Sequence, residues 1–136
     1  MENCLFCKIA RKEIPSSIVY EDDDVLAFLD IKPVHPGHTL VIPKIHSHDF
    51  SEMDPVDAQA VYSIAQKVTN ALLHLGAEGA NVTTNIKPAG GQVIFHTHVH
   101  VIPRYKDDGL HLWPQHAYVE GEDKVWKEKL SHVLKP

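Results

Sequence analysis

Apolar residues along this chain recur with two different periods, and the changes from one period to the other predict the elements. Between residues 55 and 75 the spacing is helical: Val61, Ile64, Ala65, Val68, Ala71, Leu72 and Leu75 fall on one stripe. Asp54 is a good N-cap, Pro55 suits the first helical position, and Gly76 closes the segment. A stripe of this kind needs a sheet to cover. Five strand-like runs supply one. Residues 17–21 and 25–30 flank the acidic turn Asp22-Asp23-Asp24 and read as a hairpin. Residues 39–43 contain Leu40-Val41-Ile42, a run that reads as buried on both faces, and residues 80–86 and 95–103 flank a Pro88-Ala89-Gly90-Gly91 turn. Short helices over residues 5–12 and around Val125, Trp126, Leu130 and Val133 complete the two ends. Few residues are left for crossovers, so the pairing is expected to be mainly antiparallel. The predicted fold is α+β: a five-stranded sheet, one long helix packed on it, and short terminal helices. No linker, repeat or low-complexity tract divides the chain, which reads as a single domain over residues 1–136.

The last of these strands is chemically unusual, because its start reads His96-Thr97-His98-Val99-His100. Side chains alternate faces on an extended chain, so three imidazoles share one surface, with backbone positions roughly 6–7 Å apart. Neighbouring rings at that spacing can serve one phosphate or one metal ion. A purely structural strand would carry threonine, valine or tyrosine there, since each imidazole brings two polar nitrogens that need partners when buried.

Composition narrows the function classes. A chain of 136 residues buries roughly two thirds of its unfolded surface in one core and needs no staples. A net charge of −5 and a pI near 6.1 argue against a general nucleic-acid binder, while leaving room for a locally positive pocket that takes small anions. No stretch approaches the roughly 20 apolar residues that span a bilayer, and Met1-Glu2-Asn3-Cys4 lacks the build of a signal peptide, so the expected location is cytoplasmic, with no membrane partner. The two cysteines, Cys4 and Cys7, form a Cys-x-x-Cys pair that in a reducing compartment reads as a metal or redox pair before a structural disulfide.

The His-x-His-x-His pattern followed by two apolar residues resembles that of the histidine-triad family of nucleotide-binding hydrolases and transferases. Phe6-Cys7-Lys8-Ile9, Glu13-Ile14-Pro15, Val19-Tyr20-Glu21-Asp22, Ala27-Phe28-Leu29-Asp30-Ile31, the run from Pro36-Gly37-His38 to Pro43-Lys44, and Gly91-Gln92 are similar to family segments in family order, over residues 4 to about 105; residues 106–136 form a less diagnostic tail. The resemblance implies a homodimer whose two sheets join into one of ten strands, with Trp113 similar to a tryptophan that some members send towards the partner. It implies His98 as nucleophile, with His100 and His38 as donors to the phosphate oxygens. Neutral imidazole is a competent nucleophile, and the phosphoramidate it forms is labile to water. Asp30 resembles the carboxylate that accepts from both ribose hydroxyls, and Phe6, Ile9, Ile14, Phe28 and Ile31 would form an apolar slot for a purine base. Asn85 and Gln92 match family positions beside the site. Gly90 and Gly91 permit a backbone nest for phosphate. At Val93 the chain departs from the eukaryotic branch, which usually has serine or threonine there, so amine leaving groups are expected to be handled less well than phosphate ones.

A Cys-x-x-Cys pair needs two further ligands to complete a tetrahedral zinc site. Resemblance to the bacterial branch, and to galactose phosphate uridylyltransferases, points to His46 and His96, with His48 a nearby rival; the implied cofactor is a structural zinc. Simpler readings exist for each feature: half-buried surface histidines, buried apolar thiols at Cys4 and Cys7, and a turn or cap role for Asp30. His35, His74, His111, His116 and His132 read as solvated surface residues. Two rival functions remain at this point. One is a metallohydrolase in which His96, His98 and His100 jointly bind catalytic zinc; the other is a non-catalytic nucleotide sensor.

Overall fold

The computed structural model describes residues 3–136 and contains three α-helices and one five-stranded sheet. In chain order these are α1 (Leu5–Ala10), β1 (Ile18–Glu21), β2 (Val25–Leu29), β3 (Thr39–Pro43), α2 (Pro55–His74), β4 (Gly79–Thr83), β5 (Val99–Arg104) and α3 (Glu122–Val133). The strands lie in the order β1-β2-β3-β5-β4, and every pair is antiparallel. The predicted α+β architecture is therefore the observed one.

Alternation along the central strands builds two apolar layers. Val25, Ala27, Val41, Val99 and Val101 point to one face and pack with Val61, Ile64 and Ala65 of α2. Leu26, Phe28, Leu40 and Ile42 point to the other and pack with Phe6 and Ile9 of α1. Leu40-Val41-Ile42 is thus buried from both sides, as its uniform hydrophobicity requires. Asp54 caps α2 by accepting from the Val56 N–H at 2.9 Å, with Pro55 in the first turn. Helix α1 has only six residues and is too short to stand alone, so its buried Phe6, Cys7 and Ile9 hold it to the sheet. At roughly 1.5–3 kcal/mol per large apolar side chain, Phe6 and Ile9 alone outweigh what so short a backbone lacks.

Three boundaries differ from expectation. Strand β5 begins at Val99, not at residue 95, because the approach to it is bonded elsewhere: Thr97 N–H donates to the Ser47 carbonyl at 2.8 Å, and the Pro43 carbonyl is taken by the His96 ring. Strand β4 covers Gly79–Thr83 and stops short of residue 86, since the Thr84 hydroxyl donates to the His98 carbonyl. Helix α1 ends at Ala10, just before Lys12 enters the left-handed region at φ 62°. Helix α3 forms where predicted, yet it buries none of its residues; Val125, Trp126, Leu130 and Val133 remain exposed. No helix among the described residues is long and apolar enough to cross a membrane.

Candidate active site and metal cluster

His96, His98 and His100 do share one side of the chain, the side of α1, but they divide into two centres. His96 is fully buried and donates from Nε2 to the Pro43 carbonyl at 2.8 Å, which leaves Nδ1 as a lone pair. That lone pair lies 3.4 Å from both Cys4 Sγ and Cys7 Sγ and 3.2 Å from His46 Nδ1, while His46 Nδ1 is itself 3.4 Å from Cys7 Sγ. A zinc tetrahedron built from Zn–S bonds of about 2.3 Å and Zn–N bonds of about 2.05 Å has edges of about 3.5 Å for S···N and about 3.3 Å for N···N. The donor set therefore fits a tetrahedral metal ion with two thiolates and two imidazoles, and all four ligand atoms lie within 4.8 Å of one another. Burial pushes His96 down to about 4, lowers His46 and raises the Cys7 thiol, so the imidazoles are unprotonated and ready to ligate. His48 is not part of this group; it stacks on Phe95 at 4.8 Å and bonds Asp49.

His98 faces a cleft of about 350 Å³. Its Nδ1 donates to the His96 carbonyl at 2.8 Å, which places the proton there and leaves the Nε2 lone pair free. Phe6 meets this ring edge-on, with centroids 5.0 Å apart, and fixes its plane. Burial lowers the His98 pKa against the opposing pulls of the His96 carbonyl and Asp30. At neutral pH the ring is therefore a neutral base with an open nitrogen.

His100 and His38 form a pair with a defined direction. The Val34 N–H donates to His38 Nδ1 at 3.1 Å, so the His38 proton resides on Nε2, which donates to His100 Nδ1 at 2.9 Å. The His100 proton is thereby placed on Nε2, the nitrogen left for the cleft. Burial pushes His100 down to about 4 and lowers His38 despite Asp30, whose Oδ2 is 3.7 Å from His38 Nε2. His38 is buried with both nitrogens engaged, so in this structure it stands behind His100.

The cleft walls contain most of the expected binding residues. Phe6, Ile9, Ile14, Phe28, Asp30, Ile31, Asn85, Gly91 and Val93 line it together with His98 and His100. Ile31 is 92% exposed and Val93 83% exposed, so both sit at the rim. Gln92 stands apart from these residues. It is 4% exposed and absent from the cleft wall; its carbonyl accepts from the Lys87 N–H, and its amide donates to the carbonyls of His48 and Ile94, which fixes the turn before His96. The expected phosphate nest is also reduced. The N–H groups of Gly90, Gly91 and Gln92 are spent on the carbonyls of Lys87 and Pro88, and the Val93 N–H is the donor left without a partner among the described residues. Gly91 adopts φ 90°, the backbone freedom for which glycine was singled out.

Sequence reasoning missed Leu5, Pro15, Ser16, Leu29, Leu40 and Ile94, which also line the cleft, and it misplaced His35. His35 is no solvated surface residue: it is half-buried, and its Nε2 lies 3.2 Å from Asp108 Oδ2. That a backbone carbonyl holds one nitrogen of the His98 ring was expected, but which main-chain group sets each tautomer was not legible, since every residue carries an N–H or a carbonyl.

The arrangement defines a class, a nucleotide-scale cleft served by two oriented neutral imidazoles beside a separate metal-binding cluster. The profile of the HIT domain matches residues 11–107, and the chain belongs to that family. It is 50% identical over 113 residues to an uncharacterized HIT-like protein of Borreliella burgdorferi, covering 81% of each chain. It is 36% identical over 135 residues to the adenosine 5'-monophosphoramidase hnt1 of Schizosaccharomyces pombe, covering 98% of this chain and 99% of that one. With the Arabidopsis thaliana adenylylsulfatase HINT3 it shares 43% identity over 127 residues, 93% of this chain and 64% of the relative. Among solved structures, a HIT family protein from Bacillus anthracis superimposes with a TM-score of 0.88 at 40% identity, covering 98% and 99% of the two chains. A zinc-bound histidine triad protein from Mycobacterium smegmatis does so with a TM-score of 0.78 at 33% identity, covering 97% and 96%.

Proposed function

We propose that the protein is a nucleotidyl hydrolase or transferase acting on adenosine-type, purine nucleotide derivatives through a nucleotidyl-histidine intermediate. The observation that carries this reading is the His98 ring, whose Nδ1 proton is held by the His96 carbonyl at 2.8 Å while its other nitrogen is left for a cleft of about 350 Å³. His98 Nε2 forms a bond to the α-phosphorus as the bond to the leaving group breaks, and the leaving group departs with that electron pair. His100 donates its Nε2 proton as a hydrogen bond to a phosphate oxygen as charge develops there. Water then attacks phosphorus from the vacated side and releases a proton to solvent, the N–P electron pair returns to imidazole, and two in-line inversions give net retention. Asp30 accepts from the ribose hydroxyls, and Phe6, Ile9, Ile14, Phe28 and Ile31 hold the base. Relatives named as an adenosine 5'-monophosphoramidase and an adenylylsulfatase support the substrate class.

The metal we assign to Cys4, Cys7, His46 and His96 is a structural zinc. When bound it would tie α1 to the segment before β5; with all four positions taken by side chains it supplies no open site for water. The rival in which His96, His98 and His100 share a catalytic metal is disfavoured by their geometry, since His96 turns its free nitrogen to the thiols and His98 turns its own to the cleft. We further infer a homodimer in the cytoplasm. Support comes from β4, which ends the sheet with one edge unpaired in the chain, and from the exposed apolar face of α3. Free thiols at Cys4 and Cys7 suit a reducing compartment.

The test is intact-mass analysis after rapid quenching with diadenosine polyphosphate and, in parallel, adenosine phosphoramidate. A mass gain of one nucleoside monophosphate, absent in His98→Ala, is expected. Turnover without any covalent species, or a mass gain that persists in His98→Ala, would overturn the mechanism; binding without turnover would identify a sensor. Light scattering on the same sample reads the oligomeric state.

A further inference from the structure

The His38–His100 pair works only if its protons lie where the loop between β2 and β3 puts them. That loop contributes two main-chain contacts: the Val34 N–H to His38 Nδ1 at 3.1 Å, and the His35 carbonyl, which accepts from the His38 N–H at 3.0 Å. Most of the loop is exposed, from Ile31 to Val34 and at Pro36, so packing does little to hold it. Asp30 holds the Lys32 N–H at one end of the loop and the Thr39 hydroxyl holds the Gly37 carbonyl at the other; between them the side-chain tie beside Val34 is His35, whose ring reaches Asp108 and meets Tyr105 edge-on at 5.3 Å.

Asp108 is built to receive that tie. Its carboxylate is 6% exposed and accepts five donors: Arg104 Nε at 2.7 Å, Arg104 Nη2 at 3.0 Å, the N–H groups of Tyr105 and Leu110, and His35. Arg104 is itself anchored across the sheet by Asn81 on β4 at 2.6 Å. The bidentate Arg104 contact is the strong, directional kind. It holds the carboxyl well below the usual range, so the group stays charged throughout ordinary pH. Asp107 at φ 60° and Gly109 at φ 77° shape the turn that aims it.

We propose that Asp108, acting through His35, is a positioning residue that fixes the proton arrangement of the His38–His100 pair. The inference rests on His100 as the phosphate donor and deepens that reading. When the loop is pinned, the Val34 N–H faces His38 Nδ1, so His38 carries its proton on Nε2 and His100 is obliged to carry its own on the cleft-facing nitrogen. When the loop is released, His38 can carry its proton on Nδ1 and accept at Nε2. His100 then holds its proton towards His38, and the nitrogen left for the cleft becomes an acceptor, which repels a phosphate oxygen. No atom is lost, only the direction of two hydrogen bonds.

The experiment compares wild type, His35→Ala and His35→Gln, the last retaining an N–H donor that can reach Asp108. Long-range proton–nitrogen correlation of the imidazoles, recorded without nucleotide, reads the tautomers of His38 and His100. Steady-state kinetics with adenosine phosphoramidate reads turnover. A single Nε2–H tautomer at both rings is expected in wild type and His35→Gln, and a mixture in His35→Ala. The mixture should accompany a kcat lower by about ten- to a hundredfold, with KM changed less than about twofold, as expected when a reacting group is misdirected and binding is untouched. The proposal is overturned if His35→Ala keeps one tautomer at both rings, or if thermal stability and turnover fall together without a tautomer change. A tautomer mixture in His35→Ala combined with no covalent nucleotide in wild type would uphold the positioning role and remove the catalytic reading instead.

Discussion

Acid should destabilise this protein through His100 before any carboxylate titrates. The ring's folded pKa is pushed down to about 4 by burial and by its neighbours His98 and His38, whereas an unfolded chain would show about 6.5. Above 6.5 the ring is neutral in both states and makes no difference. Between 6.5 and 4 the unfolded chain binds a proton that the folded chain refuses, so stability falls with pH by about 1.4 kcal/mol per unit. The total is about 3 kcal/mol, complete near pH 4, where the folded ring protonates as well. That is a large share of the 5–15 kcal/mol typical of a domain. Urea unfolding at half-unit steps from pH 7.5 to 4.5, with chelator present throughout, should give a steep slope for wild type. His100→Gln, which cannot titrate, should give a slope shallower by about 1.4 kcal/mol per unit between pH 6 and 5, whatever its absolute stability. Parallel slopes for the two proteins would refute the argument, because then His100 would titrate alike in both states.

Three further outcomes follow from the geometry. Chelation of zinc bound at the Cys4, Cys7, His46 and His96 cluster we propose should lower the urea midpoint by the equivalent of about 3 kcal/mol relative to protein with free zinc at a hundredfold excess over its dissociation constant, while the fraction that stays folded should still form the proposed nucleotidyl-His98; quench-mass yield against folded fraction checks this. Gly37→Ala should cost about 1–2 kcal/mol in denaturant unfolding, since φ is 96° and the added Cβ would lie 2.9 Å from a Leu72 methyl. Asp30→Asn should reduce the preference for ribo- over deoxyribonucleotides by about tenfold in kcat/KM, the worth of a charge-assisted hydrogen bond.

Much of the fold was legible because the sheet obeys simple alternation. Val41 and Val99 face one layer while Leu40, Ile42 and the histidines face the other, and helix α2 announces itself with Asp54 and Pro55. The shared face of the three histidines was legible for the same reason. What escaped was the hydrogen-bonded extent of β5, because the Pro43 carbonyl serves a side chain instead of the ladder. The hydrogen-bond partners of His38 escaped too, since residue spacing cannot say that its second nitrogen meets a backbone N–H from Val34. Gln92 reads as a polar site residue in sequence, yet three main-chain groups consume its amide. The surface of α3 is a separate case: its period predicts a helix, but the partner of an apolar face is written in no local pattern.

Of His38, His96, His98 and His100, three take their orientation from a main-chain atom: the carbonyls of Pro43 and His96, and the amide of Val34. The two carbonyls survive every point substitution and the Val34 N–H every one but proline, so drift at those positions seldom rewires which nitrogen faces the cleft. The opposite rim, with Val93 almost wholly in solvent, is free to change. Diversification of such a scaffold would therefore run through the Val93 rim, while the histidine side stays locked to the course of the polypeptide.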